Sequence, residues 1–296
     1  MLPKTSFAMV QTDVRKLEPM DLPLPEIDAD SGLVRIEACG ICGSDYEQFE
    51  GVLRTPMPVV PGHEPLGIVA AIGDAAHWET MKFLKPGRTE NQVTAHIMEF
   101  LFNIPGMEDV EDVIVSSGPN TWPNWRNFTD RIIQPGDIVF MDLAALTWNG
   151  YKSCYYRTYC VGKEPTQEMN DTYEEALGWL YDSIEAVKVG TTTKEIASKW
   201  PSAKEAWGYE EEDQAAANLW GHGLGLAQYD PPVISRIWSL DHPVEIKEGM
   251  VFALETQHGK PLEWGVRIEE MVIVHKDETE LITHFPIDRI MPVKVI

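Results

Sequence analysis

The feature that most constrains the fold of this chain is a short pattern that occurs twice. The segment QPGDIVFMD at 134–142 resembles KEGMVFALE at 247–255. In each copy a glycine is followed, six residues later, by a single carboxylate at the end of an apolar run, Asp142 or Glu255. Short apolar runs next to turn residues predict strands that are buried on both faces.

A second pair of segments repeats upstream of the first. LKPGRTENQVTAHI at 84–97 resembles VKVGTTTKEIASKW at 187–200, and each predicts a glycine turn, a threonine cap and a short helix. We therefore expect residues 84–162 and 187–275 to form half-repeats that superpose on each other. Thr166 is expected to cap a further helix with one apolar face.

Two carboxylates at equivalent ends of the repeats predict a metal site. A buried carboxylate is costly unless it is paired or binds a cation, and Asp142 and Glu255 would meet at a pseudo-two-fold axis. Glu269, on the strand that returns after Glu255, is expected to join them. His222 lies between two glycines, which permit close approach of the backbone, so it is a further candidate ligand.

The hairpin after Asp142 brings a cysteine to the same region. A three-residue loop with Gly150 in the left-handed conformation would set Asp142 opposite Tyr156, with Cys154 as its diagonal neighbour. By the repeat, Cys154 is then expected to match Glu269. Its role stays open between a thiolate ligand, which favours Zn or Fe, and a neutral filler. The lack of a neighbouring cation favours the filler, and the remaining ligands would then hold one metal and not two.

The ordered motifs MDL, RT, GHGLGL, ALE and RIEE resemble those of the creatinase/methionine aminopeptidase superfamily over about residues 84–288. This resemblance implies an α+β chain with the pita-bread fold and its internal pseudo-two-fold repeat. It also implies a metal-dependent hydrolase that binds divalent cations such as Zn, Fe, Mn or Co. The implied metal ligands are Asp142, Cys154, His222, Glu255 and Glu269. Glu255 would also handle the proton of the attacking water.

Several positions depart from the pattern of this superfamily. Cys154 replaces an aspartate that bridges the metals, and Asn124 and Trp125 stand where a substrate-contacting histidine is expected. Tyr229 replaces a second active-site histidine, so Tyr229 and the following Asp230 are further candidate catalytic residues. Losing two imidazoles removes groups that move protons and stabilise developing charge. The helix that normally precedes the Lys-Pro-Gly turn is expected to be displaced.

Three functions are compatible with these residues. The first is hydrolysis of a small C–N bond substrate such as an Xaa-Pro peptide. The second is a metal-dependent lyase, because the segments SSGP and LITHFPID resemble the dimethylsulfoniopropionate lyases, although their acidic base falls at Gln228. The third is a non-catalytic binding protein with a degenerate metal site. Each predicts a small molecule or a short peptide as the partner.

The N-terminal part has a different origin in sequence. CGICGSD and GHE resemble the start of the zinc-dependent alcohol dehydrogenases over about residues 25–76. The resemblance implies a partial GroES-like β-barrel segment with a possible vestigial zinc site at Cys42, His63 and Glu64. A third protein ligand has no counterpart, and GHGLGLA lacks the last glycine of a dinucleotide-binding turn. We therefore expect no NAD site and no alcohol oxidation.

Charge and hydropathy disfavour two further kinds of partner. With a formal net charge of -23, the chain lacks the clustered Lys and Arg that nucleic acid or an anionic membrane would require. No apolar run is long enough to cross a bilayer, and the first residues do not resemble a signal peptide. We therefore expect a cytoplasmic protein.

A change in sequence texture predicts two domains, 1–78 and 79–296. The first has short β-like runs, and the second has long amphipathic helices between strands. The truncated edge of the second domain is expected to expose Met81, Phe83 and Leu84. Exposed apolar surface of this kind favours a homodimer.

Overall fold

The computed structural model describes residues 4–24, 38–40, 43–52, 54, 56–60, 64–66, 68–215 and 219–294. The chain divides into two compact units, Met1–Ile68 and Val69–Ile296. The described elements of the first unit are β1 (Thr5–Asp13), β2 (Lys16–Pro23), β3 (Ala38–Gly40), α1 (Gly43–Phe49) and β4 (Glu64–Leu66). β1 pairs antiparallel with β2, and β3 pairs antiparallel with β4.

The second unit alternates helices and strands. Its elements are α2 (Ile68–Phe83), α3 (Glu90–Phe102), β5 (Met107–Ser117), β6 (Ile138–Trp148), β7 (Tyr151–Ser153), β8 (Tyr156–Val161), α4 (Gln167–Ala186), α5 (Thr193–Ala197), α6 (Ala203–Trp207), β9 (Gly221–Gly223), β10 (Asp230–Ile234), β11 (Val251–Lys260), β12 (Trp264–Val274), β13 (Thr279–Leu281) and β14 (Met291–Val293). Single 3₁₀ turns cover Gly118–Asn120 and Glu212–Gln214. The expected domain boundary near residue 78 falls inside α2 and stays a prediction.

The strands of the second unit form two sheets that meet along β8 and β12. One sheet has the order β14-β8-β6-β5, with β7 also pairing with β6, and the other has the order β10-β9-β11-β12-β13. At their junction the Thr158 hydroxyl donates to the Arg267 carbonyl (2.6 Å) and accepts from the Arg267 N–H (3.0 Å). The junction brings the strands that carry the candidate ligands next to one another.

Equivalent turns and caps mark the two half-repeats. Gly87 and Gly190 both adopt φ near +90°, which favours glycine, and each donates its N–H to an isoleucine carbonyl at 2.9 Å. Two residues after each glycine, a threonine starts a helix with a complete capping box, Thr89 with Gln92 and Thr192 with Glu195. The repeat found in the sequence is therefore present in the backbone.

Asp142 pairs with Tyr156 in the hairpin between β6 and β8, as predicted, but the three-residue loop expected to cause this pairing is absent. The turn has two residues, Asn149 and Gly150, both with positive φ, and not three. An extra residue in β6, where Ala145 adopts a φ of 54°, then shifts the register by one. The two differences cancel, so Asp142 pairs with Tyr156 as predicted.

Helix α4 covers the second half-repeat. It begins at the predicted cap, where the Thr166 hydroxyl accepts from the Met169 N–H. Its buried residues recur at helical spacing and include Tyr173, Ala176 and Leu180, and they pack against β11 and β12. Burying each large apolar side chain contributes roughly 1.5–3 kcal/mol to the free energy of unfolding.

The expected displacement of the helix before Lys-Pro-Gly is wrong. Helix α2 occupies this place, and its Asp74 carboxylate accepts from the N–H groups of His284 and Phe285 and from the Tyr155 hydroxyl at 2.6 Å. The buried His77 on the next turn contacts the Tyr159 hydroxyl through Nδ1 (2.7 Å). These contacts bind α2 to the sheet that holds Cys154, so the segment is an integral part of the second unit.

The apolar surface expected at this edge is also smaller than predicted. Leu84 is buried, with 2% of its surface exposed, and Met81 and Phe83 are half-buried. This edge therefore exposes little of the apolar surface that favoured self-association, and the homodimer stays a prediction. Among the residues that the structure describes, no helix combines the length and the apolar character needed to span a bilayer.

Candidate metal centre

Four strands place the predicted carboxylates and the histidine around one cavity. Glu255 on β11 is directly opposite Glu269 on β12, and His222 on β9 is opposite Ala253 on the other side of β11. A Cβ atom on Gly223 would overlap the carbonyl of Asp230, so the glycine beside His222 is required by the close approach of the chains.

Cys154, His222 and Glu269 form the tightest group of potential ligands. The Cys154 Sγ lies 3.9 Å from Glu269 Oε2, and His222 Nε2 lies 4.0 Å from Glu269 Oε1. One ligand atom from each lies within 4.8 Å of the other two, and all three side chains are buried. His222 Nδ1 is held by the Gly223 carbonyl at 2.9 Å, which directs Nε2 toward the cavity.

The other two predicted ligands lie beside a tyrosine. The Tyr156 hydroxyl donates to Glu255 Oε2 in a short hydrogen bond. The Asp142 Oδ1 and Glu269 Oε1 atoms are buried and have no hydrogen-bond partner among the described residues. A buried carboxylate oxygen without a partner is costly, and a divalent cation would satisfy it. The donor set of thiol, imidazole and carboxylates therefore fits a divalent cation such as Zn.

The electrostatics of this group of side chains agree with this fit. Burial raises the pKa of Asp142 to about 7, and the nearby charge of Glu255 contributes in the same direction. Burial, with Glu255 and Asp142, raises the pKa of Glu269 well above its ordinary value. Burial also raises the pKa of the Cys154 thiol and lowers that of His222. The carboxyl groups and the thiol therefore keep their protons until a cation replaces them, whereas the His222 imidazole is held in its neutral form, which can bind a cation directly.

The cavity has a volume of about 420 Å³ and a mixed lining. Arg267 lies in it, with its guanidinium 3.8 Å from the ring centre of Trp125 and hydrogen-bonded to Gln257 at 2.9 Å. The positive charge of Arg267 lowers the pKa of both Asp142 and Glu269, which offsets part of the effect of burial. The volume suits a small ligand.

The predicted catalytic residues occupy different places. Tyr229 lines the cavity, with its ring 4.7 Å from the His222 ring and 57% of its surface exposed. Asp230 does not line this cavity, and its carboxylate accepts from the Ala227 N–H at 3.3 Å. Gln228, in the position of the lyase base, lines the cavity, and its side-chain amide lies 3.9 Å from the Cys154 Sγ. The catalytic roles stay predictions.

Trp125 and Asn124, which the resemblance places where a histidine is expected, also differ in position. Trp125 lines the cavity, whereas Asn124 is exposed outside it. In the first unit, Cys42 and His63 lie outside the described residues and Glu64 lies in β4, so the vestigial zinc site also stays a prediction.

The expected equivalence between Cys154 and Glu269 is wrong in register. The residue opposite Asp142 is Tyr156, and the residue opposite Glu255 is Glu269, so Tyr156 is the counterpart of Glu269. Cys154 reaches the cavity from the connection between β7 and β8, opposite the bulge at Ala145, an interruption that the second half does not contain.

Arg267 is a cavity residue that the sequence argument missed. It precedes Glu269 by two residues on β12, so both side chains project from the same face of the strand. That spacing within the RIEE motif was the available signal.

The chain belongs to metallopeptidase family M24, whose model matches residues 66–276. It is 30% identical over 213 residues to the probable dipeptidase PepE of Mycobacterium bovis, covering 72% of this chain and 54% of the relative. It is also 30% identical over 243 residues to the Xaa-Pro dipeptidase of Pyrococcus furiosus, covering 81% of this chain and 67% of the relative. The chain thus spans about half to two-thirds of the length of these relatives.

A solved structure confirms the fold. The crystal structure of the dipeptidase PepE from Mycobacterium ulcerans aligns with a TM-score of 0.68 at 30% identity, covering 78% of this chain and 59% of that one. The second unit therefore has the predicted α+β, pita-bread architecture. The N-terminal resemblance is also confirmed, because residues 28–95 match the alcohol dehydrogenase GroES-like domain. The two matches overlap at residues 66–95, which include α2.

Proposed function

We propose that this chain hydrolyses the peptide bond of a short peptide at a site that holds one divalent cation. The observation on which this depends is the buried group of Cys154, His222 and Glu269 in a cavity that also contains Glu255. Family membership supports the same chemistry, because relatives at 30% identity are named dipeptidases. Cys154 would be a thiolate ligand when the cation is bound, which favours Zn or Fe over Mn.

A bound cation would supply a Lewis acid for a peptide carbonyl and a water acidic enough to react near neutral pH. The chain itself would position the substrate and move protons. Glu255 is the residue for proton transfer, because its carboxylate lies in the cavity and accepts a hydrogen bond from the Tyr156 hydroxyl. Trp125 and Tyr229 offer aromatic surfaces for an apolar side chain or a proline ring.

The test is a substrate panel with the full chain, loaded separately with Zn, Fe, Mn or Co. Xaa-Pro dipeptides, dipeptides without proline and dimethylsulfoniopropionate would be incubated with it, and products identified by mass spectrometry. We expect cleavage of at least one dipeptide class, highest with Zn or Fe, and a loss of about 100-fold or more in Glu255→Gln. Glu278→Gln, at an exposed turn residue, is the control that should keep full activity.

Two outcomes would reject the proposal. Release of dimethyl sulfide without peptide cleavage would identify a lyase. No turnover of any substrate, combined with tight binding of the cation, would identify a binding protein that has retained the site without its chemistry.

A further inference from the structure

The five candidate ligands separate into two groups around the cavity. Cys154, His222 and Glu269 face one another, with one ligand atom from each within 4.8 Å of the others. Asp142 and Glu255 line the same cavity but are associated with Tyr156. Since cation binding requires several ligand atoms at one point, the first group is arranged for a cation and the second is not.

Tyr156 occupies a defined place in the second group. It is the register partner of Asp142 in the β6–β8 ladder, and its side chain is buried. Its hydroxyl is the donor for Glu255 Oε2. In the other half-repeat the corresponding position is Glu269, a carboxylate that belongs to the first group. One half therefore presents a ligand at this position, and the other presents a hydrogen-bond donor.

A hydroxyl donor and a cation compete for the same carboxylate oxygen. A cation on Glu255 Oε2 would lie against the hydrogen of the Tyr156 hydroxyl, and Tyr156 is also the direct register partner of Asp142. The unpartnered Asp142 Oδ1 shows that Tyr156 satisfies only one of the two carboxylates. The structure therefore gathers ligand atoms for a cation at Cys154, His222 and Glu269 and places a competing donor at Glu255.

We propose that Tyr156 restricts the site to one divalent cation, and that a smaller residue at this position creates a second cation site between Asp142 and Glu255. This inference rests on the metal centre of the proposed function. It makes Tyr156, the register partner of Asp142, the residue that determines how many cations bind. The chemical class of the additional ligand is a divalent cation with an oxygen preference, such as Mn or Co, because both residues offer carboxylate oxygens.

The experiment measures bound metal in the full chain without any assay of activity. Wild type, Tyr156→Thr, Tyr156→Phe and Tyr159→Phe would be dialysed against Co or Mn and analysed by plasma mass spectrometry. We expect about one cation per chain in the wild type and about two in Tyr156→Thr. Tyr159→Phe is the matched control, because Tyr159 is a buried tyrosine of the same strand whose hydroxyl contacts His77 and not a carboxylate.

Tyr156→Phe keeps the ring and removes only the competing donor, so it decides the result if the threonine variant does not fold. The Tyr156 hydroxyl donates to Glu255, and a hydrogen bond to a charged acceptor is strong. Its removal should therefore tighten the binding of a cation at Asp142 and Glu255 roughly tenfold in a titration. A phenylalanine variant that binds no more tightly than wild type, or a folded Tyr156→Thr that holds no extra cation, overturns the inference. So does a wild-type chain that holds two cations or none.

Failure of the proposed function is distinguishable from failure of this inference. A chain that rises from one cation to two in Tyr156→Thr but cleaves no peptide would retain the role of Tyr156 and reject the peptidase. A wild-type chain that cleaves peptides with one cation, together with a folded Tyr156→Thr that still holds one, would support the peptidase and reject the role of Tyr156.

Discussion

The two half-repeats of the second unit have equivalent turns and helix caps but different side chains at equivalent positions. In the first half the register pair is Asp142 with Tyr156, and in the second half it is Glu255 with Glu269. The glycine turns and capping boxes of the two halves match, whereas the side chains at the cavity differ and the bulge at Ala145 occurs in the first half. The duplicated fold therefore fixes where ligands can lie, while we propose that a single residue, Tyr156, decides how many cations can bind.

The next residue in each half makes the comparison structural as well as chemical. Arg157 follows Tyr156, and Glu270 follows Glu269, so these two also occupy equivalent positions. They form a buried ion pair at 2.9 Å across the junction of the sheets. Arg157 also donates to the carbonyl oxygens of Phe285 and Glu269. The pair connects the two halves directly behind the cavity.

The largest expected effect comes from breaking this ion pair. Arg157→Met would leave Glu270 buried without its partner, and the free energy of unfolding should fall by about 3–5 kcal/mol. The double variant Arg157→Met/Glu270→Met removes both charges and should recover most of this loss. Urea denaturation monitored by circular dichroism provides the measurement.

An exposed ion pair serves as the control for this comparison. Lys204 and Glu210 lie 2.7 Å apart with both side chains mostly exposed, so Lys204→Met should leave the urea midpoint unchanged. If Arg157→Met were as harmless as Lys204→Met, or if the double variant were no more stable than the single one, the two halves would not be held together by this pair.

Much of the fold could be predicted because its signals are local. The repeated glycines, the threonine caps and the carboxylate six residues after each glycine belong to short segments whose physics does not depend on the rest of the chain. The bulge at Ala145 could not be predicted, because alanine gives no sign of a positive φ. Helix α2 was missed because its stability depends on distant partners, Tyr155 and Phe285 among them.

The candidate site shows the same division. The ordered motifs indicated five residues as possible ligands, and all five line the cavity. The hydrogen bond between Tyr156 and Glu255 joins strands from different halves, so neither segment alone predicts it. The position of Cys154 depends on the connection between β7 and β8, opposite the bulge at Ala145, which exists in the first half only.

The second prediction tests whether the cysteine of the first half is a ligand. Cys154→Ala should weaken zinc binding by about 100-fold or more, because even the loss of an outer-shell partner costs 10–100-fold. The cobalt-loaded wild type should show a thiolate-to-metal charge-transfer band that this variant lacks. Competition with a chromophoric chelator and near-ultraviolet absorption provide the two measurements.

Cys160→Ala is the matched control for that experiment. Cys160 is a buried free cysteine on β8 and is not part of the cavity lining, so its removal should change neither zinc affinity nor the cobalt spectrum. Unchanged affinity and spectrum in Cys154→Ala would show that Cys154 is a neutral filler, and all ligands would then be imidazole and carboxylates.

The smallest expected effect is a pH dependence of the free energy of unfolding, measured after dialysis to remove metal. It compares Asp142 of the first half with Glu269 of the second. The pKa of Asp142 is about 7 in the folded chain against 3.8 ordinarily, so the folded state holds more protons than the unfolded state between these pH values. Stability that depends on this proton is present at low pH and is lost as pH rises toward 7, by at most about 1.4 kcal/mol per pH unit and group. Glu269, whose pKa is also raised, should act in the same direction.

Asp142→Asn and Glu269→Gln should therefore each be more stable than wild type near pH 7, by a margin that shrinks as pH falls to 5. Urea titrations of the dialysed proteins would measure this margin. Saturation with zinc should reverse it for Glu269→Gln, because Glu269 belongs to the group that holds the cation, and should not reverse it for Asp142→Asn. A margin that does not change with pH in Asp142→Asn but changes in Glu269→Gln would show that only the second half carries a titrating carboxylate.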